Sequence, residues 1–332
     1  MSGRLKLRRG VVVEEEPLTV EVGGEKRPAW ADTALLGEMR EGDEVIVNVA
    51  AFDLGLGSGG FDVVHVNLSR GLEGGGGSEH VMKLNYSSLQ HPVEPVEPAS
   101  GFPSVPVLVL PLHGHLAPAA WAAAQATPGL RVGYVQTSGG ALPGSLSRDV
   151  AELRERGLLA GHITAAPSYG GEQEALSVPG AIAGAAGTLG WGAVLVGPGP
   201  GIIGSNTELG HGGMAALDNA HAALSLRCPT TISPRLSSAD PRERHVNVSH
   251  HTYTVLELLL APVEVAVPEG EPDIAAALEA APGRHRVFPA QADLDGYEAS
   301  GLPTKTMGRS LREDPLFFAA PLAAGATLRH KG

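Results

Sequence analysis

The chain has 332 residues, 24 Lys+Arg against 36 Asp+Glu, a net charge of −12 and one cysteine. The acidic surplus argues against nucleic acid or an anionic membrane as the main partner, since both reward a basic surface. A lone cysteine, Cys228, excludes an internal disulfide and fits a reducing, cytoplasmic setting, where it is expected as a buried core thiol at the start of a strand.

The length predicts one large or two modest domains. Met1 to Gly10 carries Arg4, Lys6, Arg8 and Arg9 with no apolar run behind them, unlike a signal peptide. Two long uncharged stretches, 98–130 and 175–207, are interrupted by Gly and Pro. A spanning helix needs about 20 continuous apolar residues, so no membrane partner is expected. Over the first 90 residues the pattern is β-rich. "LKLRRGVVVEEE" and "LTVEVGG" suit a hairpin, and "GDEVIVNVAA" and "FDVVHVNL" alternate at the strand period of two. "GLGSGG" and "GLEGGGGSEH" read as loops, and "HPVEPVEPASGFP" (91–103) as a stiff Pro-rich linker.

From 104 the rhythm becomes strand then helix. "SVPVLVLP", "LRVGYVQT", "HITAAPS", "GAVLVG", "PTTISPR", "VEVAVP" and "HRVFPA" read as strands. "APAAWAAAQAT", "SLSRDVAELRERG", "VPGAIAGAAGTLG", "GGMAALDNAHAALSL", "HHTYTVLELLLA" and "EPDIAAALEAA" read as the helices between them. The fold class is therefore α/β: a doubly wound, mostly parallel sheet with helices on both faces over 104–300, preceded by a small barrel-like β-rich domain over 1–90. Residues 301–332 are expected to pack back on it.

In an open parallel sheet, ligands bind beyond the carboxyl ends of the strands. His113 and His115 follow the first sheet strand, and Ser138, Gly139 and Gly140 the second. Ser168, Tyr169 and Glu172 follow the third, and "GPGPGIIGSNTELGHGG" the fourth, with Gly199, Gly201, Ser205 and Asn206. Asp240, Arg242 and Arg244 follow the fifth. His162 and His285 precede strands and are set aside.

"DPRERHVNVSHHTYTVLELLLAP" (240–262) gathers Arg242, Arg244, His245, His250 and His251 just ahead of a helix that Ser249 can cap. Helix N-termini favour anions, and guanidinium forks match phosphate or carboxylate. The dipole there disfavours imidazolium, leaving a neutral ring able to act as a base. The competing reading is a surface loop whose arginines pair with Asp240 and Glu243. "PLHGHL" can place two imidazoles on a metal, with His250 or His251 and Glu172 completing the set, but two histidines alone do not assign one.

"GPGPGIIG" contains G-x-G-x-x-G, yet Pro200 stiffens the turn, the helix starts only near Gly212, and no acid ends the next strand. A ligand-contacting loop or close packing explains these glycines better. "APSYGGEQEA" lacks the serine-hydrolase elbow. Glu172 there is an acid/base candidate, or simply an acid near the start of a helix.

Together "GLGSGGFD", "HVMKLNYSSLQ", "VGYVQTSGGALPGSLS", "GPGPGIIGSNTELG", "ADPRERHVNVSHHT" and "MGRSLREDPLFFAA" resemble the bacterial family catalogued as domain of unknown function 3866, from near Gly10 to about Gly325. The resemblance implies a cytosolic protein with a coherent site and brings no reaction. A "GLHS"-type turn stands in the family where this chain has "PLHGHL", so His113 matches and His115 does not, which weakens a two-histidine metal site. "MGPG" stands where this chain has "VGPG".

The sequence thus points to an enzyme acting on a small anionic, phosphorylated or carboxylated metabolite. His113, His245, His250, His251 and Glu172 are the catalytic candidates. Arg242, Arg244, Asp240, Ser138, Gly139, Gly199, Gly201, Ser205 and Asn206 are the substrate-binding candidates. A non-catalytic binding or regulatory module is the alternative. No cofactor is named by these residues, and self-association is left open.

Overall fold

The computed structural model describes residues 4–55, 60–72, 75, 79–98, 100–102, 104–205 and 207–329. The loops read at 55–60 and 71–80 lie partly outside them. The chain divides into two compact units, Met1–Met82 and Lys83–Gly332.

The first unit is a closed barrel of β1 (Leu7–Glu14), β2 (Thr19–Val22), β3 (Glu25–Trp30), β4 (Glu44–Asn48) and β5 (Asp62–Asn67), in the order β1-β2-β3-β5-β4. The hairpin pairs Val11 with Glu21, and β4 closes back on β1 with Leu7 opposite Asn48. Val12, Val20, Val22, Val45, Val47 and Val64 fill the interior. A Cβ on Gly10 would lie 2.5 Å from Val20, so glycine lets the strands close. No alternation marks "EKRPAW" as a strand, because its inward residue is Arg27. That guanidinium is neutralised by Asp62 at 2.9 Å and Asp53 at 2.7 Å.

The second unit is built on eight parallel strands: β6 (Val107–Val109), β7 (Val132–Thr137), β8 (His162–Ala165), β9 (Gln173–Ala175), β10 (Ala193–Pro198), β11 (Thr230–Ile232), β12 (Glu264–Pro268) and β13 (Arg286–Ala290). Their order is β9-β8-β7-β10-β6-β11-β12-β13. Strand β9 fills the stretch between "HITAAPS" and the helix that begins, as expected, at Val178. Glu174 explains it, accepting from Gly170 and Gly171 N–H (2.9 and 3.2 Å) and from Thr164 Oγ1, while the buried Lys83 pairs with it. Lys83 also donates to the carbonyls of Thr164 and Ser168, each at 2.7 Å. Val93 and Val96 of the Pro-rich stretch are buried, and Pro95 bridges Glu174.

Eight helices cover the sheet: α1 (Leu116–Ala126), α2 (Arg148–Glu155), α3 (Val178–Gly187), α4 (Ala215–Ser225), α5 (His250–Leu258), α6 (Pro272–Glu279), α7 (Leu294–Ala299) and α8 (Pro315–Gly325). Residues of α1, α2, α7 and α8 pack with Leu108, Tyr134 and Leu195 on one face. Those of α3, α4, α5 and α6 pack with Val109, Val135 and Val196 on the other. The tail helix α8 is apolar all round because it is buried. A Cβ on its Gly325 would lie 2.2 Å from the Ala119 carbonyl oxygen.

The neighbours β6 and β11 send their onward helices, α1 and α5, to opposite faces, and β7 and β10 do the same with α2 and α4. Their carboxyl ends therefore open a crevice. Glycines lock the loops around it. A Cβ on Gly212 would lie 2.0 Å from the Gly139 carbonyl oxygen, and one on Gly139, at φ +102°, 2.4 Å from that of Gly212. Neither backbone can yield without breaking the crossing. Gly212→Ala is expected to cost about 1–3 kcal/mol, read as a lowered urea midpoint; an unchanged midpoint would refute the crossing.

Candidate functional site

The loop after β11 forms the wall of the crevice. Leu236–Ser237 pairs antiparallel with Asn247–Val248, so residues 238–246 close into a hairpin loop. Arg235 is thereby held against α5: its carbonyl accepts from Ser249 N–H at 3.0 Å and its N–H donates to Thr252 Oγ1 at 2.9 Å. Ser249 caps the helix, its Oγ accepting from His251 N–H at 3.2 Å. The cap fixes the two histidines that follow it in the first turn. A single 3-10 turn, Glu243–His245, brings the third beside them.

Four imidazoles meet here. His245 lies 4.9 Å from His250 and 4.8 Å from His251 between ring centroids, and His250 lies 4.3 Å from His251. His211, from the loop after β10, stacks on His251 with centroids 3.4 Å apart and planes 8° from parallel. His245 Nδ1 is 2.7 Å from Ser249 Oγ, and His251 Nδ1 accepts from Arg235 Nη1 at 3.0 Å. Among the described residues, His250 Nε2 and both ring nitrogens of His211 are buried without a hydrogen-bond partner.

All four rings favour the neutral form. Burial pushes His245 down to about 3, and Arg235 and Arg242 push the same way. His251 is pushed down to about 2 by burial, then by His211 and Arg235. Burial also lowers His211 and His250; His250 is lowered further by Arg244 and Arg235, with Glu208 opposing. Burying a cation among cations is costly, so the proton is lost.

The cations are organised by two buried acids. Asp240 receives a fork from Arg242, Nε at 2.9 Å and Nη2 at 2.8 Å, and faces Arg235 and Arg309 at 3.6 Å each. Burial pushes the Asp240 carboxyl up, but the hydrogen bonds from Arg242 prevail and hold it well below the usual carboxylate range. Asp314, just ahead of α8, accepts from Ser237 Oγ at 2.7 Å, Ser238 N–H at 2.8 Å and Arg309 Nε at 3.0 Å. Arg235 is 7% exposed, and burial with its like-charged neighbours lowers it to about 10, so it stays a cation at neutral pH. Arg244 is exposed and, among the described residues, carries no ion pair.

The site residues expected from the sequence fall into three groups. His245, His250, His251, Asp240, Arg242 and Arg244 come together as described. Gly139 and Ser205 join Ile203, Gly204, Gly210, His211 and Gly212 around a neighbouring cavity of about 440 Å³, within the usual size range of small-molecule sites. The remainder are placed elsewhere. Glu172 pairs with Arg154 at 2.6 Å near β9. His113 is buried with Nε2 2.9 Å from Ser147 Oγ, and burial pushes it down to about 4. His115 is buried on Ser233, its Nδ1 3.0 Å from Oγ, and edge-on to Phe317. The two histidines of "PLHGHL" therefore have separate partners. Gln136 fills the space above Gly199, where a Cβ would lie 2.2 Å from its Nε2. Gly201 takes φ +77°, Ser138 is exposed, and Asn206 lies outside the described residues.

Four contributors were not singled out from the sequence: His211, Arg235, Arg309 and Asp314. The carboxyl-edge rule reaches the first two, since His211 lies in the loop after β10 and Arg235 ends "PTTISPR". Arg309 and Asp314 lie in "MGRSLREDPLFFAA", one of the six stretches that carry the family resemblance, but its distance along the chain hides that it meets the loop after β11.

Among the described residues no helix is long and apolar enough to cross a membrane. Residues 28–325 match the family described as Protein of unknown function (DUF3866), nearly the whole chain, and the chain belongs to that family. No curated protein and no solved structure matches it.

Proposed function

We propose that this DUF3866 protein is an enzyme acting on a small anionic metabolite, phosphorylated or carboxylated, at the carboxyl edge of its sheet. One observation carries the reading: a wall of four imidazoles stands among Arg235, Arg242, Arg244 and Arg309 beside a cavity that His211 also lines. Arg244 and the N-terminus of α5 offer charge and N–H groups to the anion. His211 is the proton carrier, being the histidine of the cluster that lines the cavity. Hydrolysis or transfer of an acyl or phosphoryl group suits this arrangement, with His211 taking the proton of the attacking water or hydroxyl. The single cysteine is consistent with that chemistry in a reducing cytoplasm.

A ligand-binding module without chemistry is the second reading. It is favoured by the low proton affinity of His245 and His251, which suits fixed recognition as well as catalysis. A panel of phosphorylated and carboxylated metabolites, screened by thermal shift on wild type and Arg244→Ala, tests the site, because a ligand of the folded state raises Tm by mass action. Turnover of the ligand so found then separates the readings: His211→Ala loses turnover and keeps binding in an enzyme, whereas a module shows no turnover at all.

A further inference from the structure

We infer that His245, His250 and His251 form a three-imidazole site for a borderline divalent transition metal such as Zn²⁺ or Co²⁺. One nitrogen from each ring lies within 4.8 Å of the others. Ligands about 2.0–2.1 Å from a tetrahedral ion stand roughly 3.3 Å apart, so modest side-chain rotations close the set. All three rings come from one short stretch whose ends are tied by the Ser249 cap and the 3-10 turn. A nitrogen-only set with no carboxylate selects Zn²⁺, Co²⁺, Ni²⁺ or Cu²⁺ over Mg²⁺ and Ca²⁺.

The free nitrogens agree with this role. His250 Nε2 is buried without a hydrogen-bond partner among the described residues. The contact of His245 Nδ1 with Ser249 Oγ at 2.7 Å leaves Nε2 available, the outer-sphere arrangement that orients a ligating imidazole.

His251 sets the mechanism. Its Nδ1 accepts from Arg235 at 3.0 Å, so without metal its proton sits on Nε2. Ligation through Nδ1 requires the guanidinium to give up this contact and leaves a cation close to the ion. The surrounding arginines oppose a bare dication, and an anion on the metal relieves that repulsion. Metal and anion therefore strengthen each other, by the same factor in both directions. This coupling rests on the anion-binding reading above; the three-imidazole site does not.

The test is calorimetric and spectroscopic titration of chelator-treated full-length protein with Co²⁺, with and without inorganic phosphate. Wild type, His250→Gln, His245→Gln and the control His65→Ala are compared, each checked for folding by circular dichroism. The expected result is one Co²⁺ per wild-type or His65→Ala chain, with a ligand-field spectrum of low coordination number. Either cluster variant should weaken binding at least tenfold, and phosphate should tighten it several-fold in wild type. Absence of stoichiometric Co²⁺ and Zn²⁺ binding, or equal binding by wild type and both folded cluster variants, overturns the site. Metal binding that phosphate does not alter overturns the coupling and leaves the site standing. Phosphate binding without metal binding overturns the site and leaves the anion reading standing.

Discussion

Acidification from pH 8 to pH 5 is expected to remove up to about 8 kcal/mol of stability from the second unit. His113, His115, His162 and His245 are buried and neutral in the fold, pushed down chiefly by burial to about 4, 3, 3 and 3. In the unfolded chain each returns to about 6.5. The unfolded state therefore binds more protons. The stabilisation is intact well above pH 6.5 and is lost as pH falls from there toward the folded values. Each ring contributes at most about 1.4 kcal/mol per pH unit in that window. Domain stabilities are about 5–15 kcal/mol, so four rings suffice to bring the protein near its unfolding threshold. Urea midpoints between pH 8 and pH 5, with a proton uptake of at least about four on unfolding at pH 5, check this. A midpoint that does not fall over that range contradicts the burial of the four rings as neutral groups.

Asp240→Ala is expected to destabilise the fold by about 3–5 kcal/mol and, with the opposite sign, to strengthen anion binding. The carboxylate is 5% exposed, receives the fork from Arg242 and faces Arg235 and Arg309. Its removal leaves Arg235 buried among cations with no acid in ion-pair range. Arg309 retains Asp314 at 3.0 Å, so the loss concentrates on Arg235 and Arg242. The freed Arg242 then becomes available to a ligand. Denaturation midpoints and phosphate affinity, measured on the same variant, should move in opposite directions. A variant as stable as wild type would mean that Asp240 does not hold the guanidiniums, and unchanged affinity would place the anion elsewhere.

Much of the second unit was legible because its strands are short apolar runs buried on both faces and alternate regularly with helical segments. "AVLVG" and "VEVAV" leave little choice. The cluster was legible by the same route: residues after strands collect at one edge, which gathered Arg242, Arg244 and the three histidines near α5. What escaped is what depends on distant partners. Arg27 lies on a barrel strand only because Asp53 and Asp62 neutralise it. Glu174 lies in an unforeseen strand, β9, and Lys83, some ninety residues earlier in the chain, comes to meet it. His162, at the amino end of β8, is buried against the ring of Tyr134 at 5.5 Å, a core role that position relative to the strand did not reveal. Glu172 illustrates the limit most simply. An acid in the right kind of loop is committed to Arg154, and no local signal in "SYGGEQEA" shows it.

The imidazole and arginine cluster after β11 is proposed as the place where this protein binds its ligand. The most direct measurement is the thermal-shift panel of phosphorylated and carboxylated metabolites on wild type and Arg244→Ala. Arg244 is the cluster's exposed guanidinium without an ion pair among the described residues, so its removal should spare the fold. The account predicts a compound that raises Tm in wild type and fails to do so in Arg244→Ala. Equal shifts in both proteins, or none across the panel, would contradict it.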